Sequence, residues 1–299
     1  MKRILSILLI ILLGTVALSA QTWLITTADQ VADGSSGTFA GVGPGDTVWL
    51  SAGVRDYLLL KNFHGAPGQP VVFANRGGQV ILDTDYHYGI DLRFSSHIKF
   101  VGIPGNGYDY GIFIRRVGGG GSVGLSANNL STNVEISHVE ITQTGFAGLM
   151  AKTEPNCIYP ATLRGNFIQY NTRVHDCYIH DVPGEGMYIG SSFYNGQNIS
   201  GCGTLLPPVL EGVYVYHNRV EHTGYDGIQV SSVVKDCYIY DNYVKDCSYL
   251  QQTGQMSGII IGGGTKADCY ANTIIDPYGT GILLFGKGGT RVYNNVIIR

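Results

Sequence analysis

Charge is scarce in this sequence: Asp, Glu, Lys and Arg make up 14% of its 299 residues, 19 basic against 22 acidic. Setting aside Lys2 and Arg3 leaves 17 basic residues against 22 acidic, and a mildly acidic chain is not expected to partner nucleic acid. Helical signal is missing as well, because no long stretch spaces its apolar residues at a 3.6-residue period. The six cysteines include no CxxC pair, which argues against a structural zinc. Beyond the first twenty positions no apolar run is long enough for a membrane span, so no stable membrane insertion is expected of the mature chain.

The one long apolar run, "ILSILLIILLGTVAL", follows Lys2 and Arg3 and ends at "SAQT". A basic head, an apolar core and small exit residues read as a signal peptide over residues 1–20, with cleavage after Ala20. The mature protein is therefore expected to be secreted, extracellular or periplasmic. Residues 21–40 read as a lead-in or cap. Residues 41–299 read as one repetitive domain, and its end in "RVYNNVIIR", without a capping element, suggests that further coils follow.

What is abundant is glycine, 43 residues, and tyrosine, 20 residues, a composition of short strands and tight turns. The segments "VYVYHNRVEHTGYDGIQV" (213–230), "VEISHVEITQTGFAGLMA" (134–151), "TRVHDCYIHDVPGEGMYI" (172–189) and "ADCYANTIIDPYGTGILL" (267–284) align in register. Each closes on a glycine followed by an apolar residue: Gly148-Leu149, Gly186-Met187, Gly227-Ile228 and Gly281-Ile282. The same step is read at Gly89, Gly111 and Gly258, and the shortest intervals give coils of about 22 residues. Such a unit cannot bury its own inner face, whereas stacked units can. Asn218, Asn242, Asn272 and Asn295 share a bend column, with Cys177 taking that place in its own coil, so their amides are expected to form a ladder. His217 and His222 share bend columns with Asp176, Asp241, Asp181 and Asp246, and read as solvated turn residues.

The pattern resembles the right-handed parallel β-helix of the pectate-lyase-like superfamily over about residues 40–299, its opening "GPGDTVWLSAG" and "GAPGQPVVF" being similar to a first coil of secreted polysaccharide lyases. The resemblance implies an all-β, single-stranded right-handed parallel β-helix with long loops at one corner, and a carbohydrate-active protein. No specific enzyme family matches: no acidic calcium cluster, no stacked aspartate motif and no Gly-His-Gly signature is found. No cofactor is expected with certainty, calcium being the one the superfamily allows.

Strand alternation assigns an outward column Asp91, Phe113, Met150, Tyr188, Gln229, Ile260 and Leu283, and beside it Arg93, Arg115 and Lys152. Three cations at sugar pitch suit a uronate-containing polysaccharide. Oversized loops containing Cys157 and Cys202 should wall this face, and an exported chain can link the two cysteines. The leading chemistry is that of a polysaccharide lyase: for β-elimination, Arg115 or Arg93 would neutralise the substrate carboxylate, Lys152 abstract the proton and Tyr188 donate one. For hydrolysis, Glu185 and Asp226, in one column of neighbouring coils, would be the two carboxyls. A third reading is a non-catalytic carbohydrate-binding or adhesive protein, with Tyr188, Tyr225 and Phe113 as sugar platforms and Asp226 and Gln229 leading into the binding strand.

Overall fold

A computed structural model describes residues 22–299; the proposed signal peptide over 1–20 lies outside the described residues. Almost all regular structure is β, with two three-residue 3-10 turns. The strands form parallel ladders in one 17-stranded and one nine-stranded sheet, plus a two-stranded antiparallel ribbon. A typical coil runs Val209–Tyr216, Arg219–Thr223 and Ile228–Val230. Its first two strands enter the long sheet and its third the nine-stranded sheet. Among the described residues, no helix is long and apolar enough to cross a membrane.

Stacking begins before residue 41. Trp23–Ile25 already pairs with Val48–Leu50, and Val31–Asp33 with Leu59–Lys61, so the lead-in is itself a first coil. Inside the coils runs a continuous apolar core in which Val215, Val220, Ile228 and Val230 are fully buried. Cys177, Cys237, Cys247 and Cys269 are buried free thiols whose pKa values burial raises.

Two columns hold the coils in register. At the first, Asn218 Nδ2 donates to Asn242 Oδ1 at 3.0 Å, Asn242 to Asn272 at 2.9 Å and Asn272 to Asn295 at 2.9 Å. Each acceptor oxygen also takes a backbone N–H from the preceding coil. Cys177 has no amide to add, but its N–H still donates to Asn218 Oδ1 at 3.1 Å. The second column is glycine. A β-carbon on Gly89, Gly124, Gly148, Gly186, Gly227 or Gly258 would lie 2.6–2.9 Å from the carbonyl oxygen of the next glycine in the stack.

The polar residues at the bends have a backbone role. Asp176, His217 and Asp241 take φ of 52–53°, and Asp181, His222, Asp246 and Asp276 take 48–51°. Asn, Asp and His enter this left-handed region more readily than most residues, which explains why these letters recur there. Outside the core, His175, Tyr216, Tyr240, Tyr270 and Tyr293 stack with centroids 4.7–5.1 Å apart, following the strand spacing.

Candidate functional site

The outer face of the nine-stranded sheet carries the column Leu59, Asp91, Ser126, Met150, Tyr188, Gln229, Ile260 and Leu283. Ser126 stands where the sequence reading put Phe113. Gly124-Leu125, not Gly111-Ile112, makes the glycine step of that coil; Ile112 and Phe113 pair with Val139 and Glu140 in the long sheet.

Arg115 moves with them. It is not stacked between Arg93 and Lys152, because Asn128 is the residue opposite Arg93. Instead Arg115 reaches Asp83 at 2.6 Å on the long sheet. The expected three-cation column is therefore not formed. Of the three expected cations, the two that lie on this face are already paired, Arg93 with Asp91 at 2.5 Å and Lys152 with Glu154 at 2.5 Å. Lys61, opposite Arg93, is paired with Asp33 at 3.1 Å. Lys152 Nζ also lies 3.8 Å from the Tyr188 ring centroid, and the Tyr188 hydroxyl is 2.6 Å from Ser192 Oγ. Burial alone would lower the Lys152 pKa, but Tyr188 and Glu154 outweigh it and hold the pKa above its ordinary value. Lys152 is therefore a protonated cation, which disfavours its expected role as a base.

At the entering edge of the same sheet, Glu185 and Asp226 occupy equivalent places in adjacent coils, joined by the Gly186 N–H donating to the Asp226 carbonyl at 3.0 Å. Both residues are buried. Burial raises the Glu185 pKa, while its backbone and Lys152 oppose the rise. Burial, partly opposed by a hydrogen bond from the Ser257 backbone and reinforced by Glu185, pushes Asp226 up to about 7. Glu185 Oε1 accepts from Gln255 Nε2 at 3.0 Å, and Asp226 Oδ1 from Ser257 N–H at 2.7 Å. Glu185 Oε2, Asp226 Oδ2, Gln229 Nε2, Ser231 Oγ and Ser257 Oγ are buried without partners among the described residues. Buried polar groups are nearly always satisfied, and three of these orphans, on Glu185, Asp226 and Ser257, stand at one edge of the sheet in consecutive coils, open to water or a ligand as partner.

Loops wall this face on both sides. Beyond the strand ends, Cys157 and Cys202 are joined, with Cα atoms 5.8 Å apart. Tyr194 sits between the Arg164 guanidinium, 4.2 Å from its ring centroid, and Lys287 Nζ, 4.9 Å away. Adjacent glycines make room for it: a β-carbon on Gly263 would meet Tyr194 Cβ at 3.3 Å. Across the sheet, the segment 249–256 brings Gln255 over the acid pair. Gln255, Tyr194 and Glu154 are functional candidates that the strand pattern could not supply. Their only signal is that they sit in oversized loops. No group of three or more His, Cys, Asp and Glu side chains among the described residues could hold a metal ion.

The family described as "Right handed beta helix region" matches residues 209–298. A pectate lyase superposes with a TM-score of 0.53 at 12% identity, over 94% of this chain and 77% of its own. A lacto-N-biosidase from Eubacterium ramulus superposes with a TM-score of 0.54 at 15% identity, over 92% of this chain and 56% of its own. The chain thus spans little more than half of that second protein. No curated protein matches the sequence. With parallel ladders in both main sheets, three strands per coil and these likenesses, the chain is a right-handed parallel β-helix protein.

Proposed function

We propose that this protein is an exported carbohydrate-active enzyme that binds a polysaccharide along the outer face of the nine-stranded sheet and hydrolyses it with Glu185 and Asp226. The observation carrying this reading is the adjacent buried pair, each carboxyl keeping one unpartnered oxygen. Asp226, raised to about 7, is about half protonated at neutral pH and suits the general acid that protonates the leaving oxygen. Burial raises the Glu185 pKa and the Lys152 charge only partly opposes the rise; Glu185 is assigned the nucleophile because it is the one carboxyl of the pair with a cation favouring its ionised form. Neighbouring coils stand about 4.8 Å apart, which fits the close carboxyl spacing of retaining enzymes. Substrate entry displaces the segment bearing Gln255. The two superposed proteins, named as a pectate lyase and a lacto-N-biosidase, make saccharide substrates a natural class to try. Export is supported by the leader pattern and by the Cys157–Cys202 link, which suits an oxidising compartment.

The test is release of new reducing ends from a panel of polysaccharides. Asp226→Asn and Glu185→Gln should each lower the rate by about 100-fold or more, with no ultraviolet-absorbing unsaturated product. Full activity in both variants would end this reading.

The second reading is β-elimination on an acidic, uronate-containing polysaccharide, favoured by Lys152 lying against Tyr188 on the sugar-facing column. Unsaturated product that disappears with Lys152→Ala would put elimination in place of hydrolysis.

A further inference from the structure

Three tyrosines gather on the same edge of the nine-stranded sheet as the acid pair. Tyr88 lies opposite Val123, whose column continues through Ala147 to Glu185, so Tyr88 is three coils from Glu185. At strand spacing that is roughly 14 Å along the stack. Tyr57 and Tyr86 are stacked with centroids 4.0 Å apart, and Tyr88 meets both edge-on at 5.6 and 5.1 Å. Tyr88 is buried, while Tyr86 remains 40% exposed. An exposed ring braced by two others is already held in place, so little side-chain freedom is lost when a ligand settles on it. On the same edge the half-buried rings of Phe146, in the coil before Glu185, and Tyr225, next to Asp226, lie 6.1 Å apart.

Beside Tyr86 is a cavity of about 420 Å³ lined also by Asp56, Asp83, Thr84, Asp85 and Arg116. Its cations are spoken for. Arg116 binds Asp83 at 2.8 Å and Asp85 at 2.6 Å, and Arg115 binds Asp83. Three carboxylates line the cavity against one guanidinium, Arg116, and even with Arg115 counted through its pairing with Asp83 the patch is negative by one charge. A uronate would be repelled, whereas the hydroxyls of an uncharged sugar can donate to the exposed Asp85. The apolar C–H face of a pyranose suits an aromatic ring flanked by such acceptors.

We propose that Tyr86, backed by Tyr57, is a remote subsite for an uncharged pyranose, about three sugar units from the point of cleavage. The direction of the glycan rests on the hydrolase reading; the platform stands on its own contacts.

Affinity electrophoresis of the full chain tests it, in gels containing galactomannan, xylan or mixed-linkage β-glucan as neutral probes and polygalacturonate or alginate as acidic ones. The wild type should be retarded by at least one neutral polysaccharide. Tyr86→Ala should weaken that binding by about tenfold, and Tyr86→Phe should retain it. Tyr86 is exposed, so its truncation spares the core. Wild-type retardation of Tyr86→Ala on every glycan, or binding to acidic polymers alone, overturns the subsite. Failure of the catalytic reading shows differently, as Asp226→Asn and Glu185→Gln that cleave normally while Tyr86→Ala has lost neutral-glycan binding.

Discussion

The Ser257 backbone N–H donates to Asp226 Oδ1 at 2.7 Å, while Oδ2 of the same carboxyl is buried without a partner. One oxygen continues the hydrogen bonding from coil to coil, and the other has no partner. The cost appears in the proton equilibrium. Burial first, then Glu185, lift Asp226 from 3.8 to about 7. Between those values the native state binds a proton that the unfolded chain releases, so stability falls as pH rises from about 4 to about 7 and stays lower above. Asp226→Asn keeps the acceptor for Ser257 and removes the titration. The variant should be more stable than wild type at pH 8, by at most about 4 kcal/mol, an advantage that vanishes by pH 4. Thermal denaturation at the two pH values checks this; equal behaviour at pH 8 would show that the carboxyl does not titrate near 7.

The asparagine ladder predicts a graded cost. Asn242 accepts from the Asn218 amide and backbone, and donates to Val215 O and Asn272 Oδ1. Asn242→Ala strands several buried groups, each worth about 1–3 kcal/mol, and should cost about 3–5 kcal/mol in all. Asn295 is partly solvated, so Asn295→Ala should cost about 1 kcal/mol or less. Urea denaturation midpoints should show the difference. Similar midpoints would mean that the ladder follows the register without enforcing it.

The stacking was legible in the sequence because its rules are strict. A β-carbon at Gly186 would strike the Gly227 carbonyl at 2.6 Å, so this column tolerates nothing larger, and the repeat announces itself. The same simplicity misled at Gly111. A glycine before an apolar residue is also found entering the long sheet, and alternation marks Arg115 as outward without saying from which sheet. The acid pair was visible because Glu185 and Asp226 lie in the repeat. Gln255 and Glu154, which hold Glu185 and Lys152, lie in loops, where position follows from tertiary packing rather than from period.

The Cys157–Cys202 link crosses 45 residues between two wall loops, outside the ladder of the coils. Peptide mapping without reduction should recover the two cysteines as one linked species from exported material, with Cys177, Cys237, Cys247 and Cys269 free. Because neither cysteine is in the core, Cys202→Ser should loosen the wall to proteolysis while leaving the parallel ladders intact. The far-ultraviolet circular dichroism of the variant should match wild type, and cleavage by a protease should fall within 152–207. Cleavage spread across the coils would show that the link supports the whole stack.

Lys152 separates the two chemistries most sharply. Its ammonium lies 2.5 Å from Glu154 and over the Tyr188 ring, and its charge favours the ionised form of Glu185. If Glu185 is the nucleophile, Lys152→Met keeps the apolar stem and removes only that charge. The Glu185 pKa then rises further, so the acidic limb of the pH–rate profile should move upward by about one pH unit or less, with activity persisting at its optimum. If Lys152 is instead the base of an elimination, no pH restores the lost proton acceptor, and product should vanish throughout. The raised pKa of Lys152 favours the first outcome, since a lysine held protonated cannot accept a proton in the working range. A profile that neither shifts nor falls would remove Lys152 from both mechanisms and leave it as a packing residue beneath the wall.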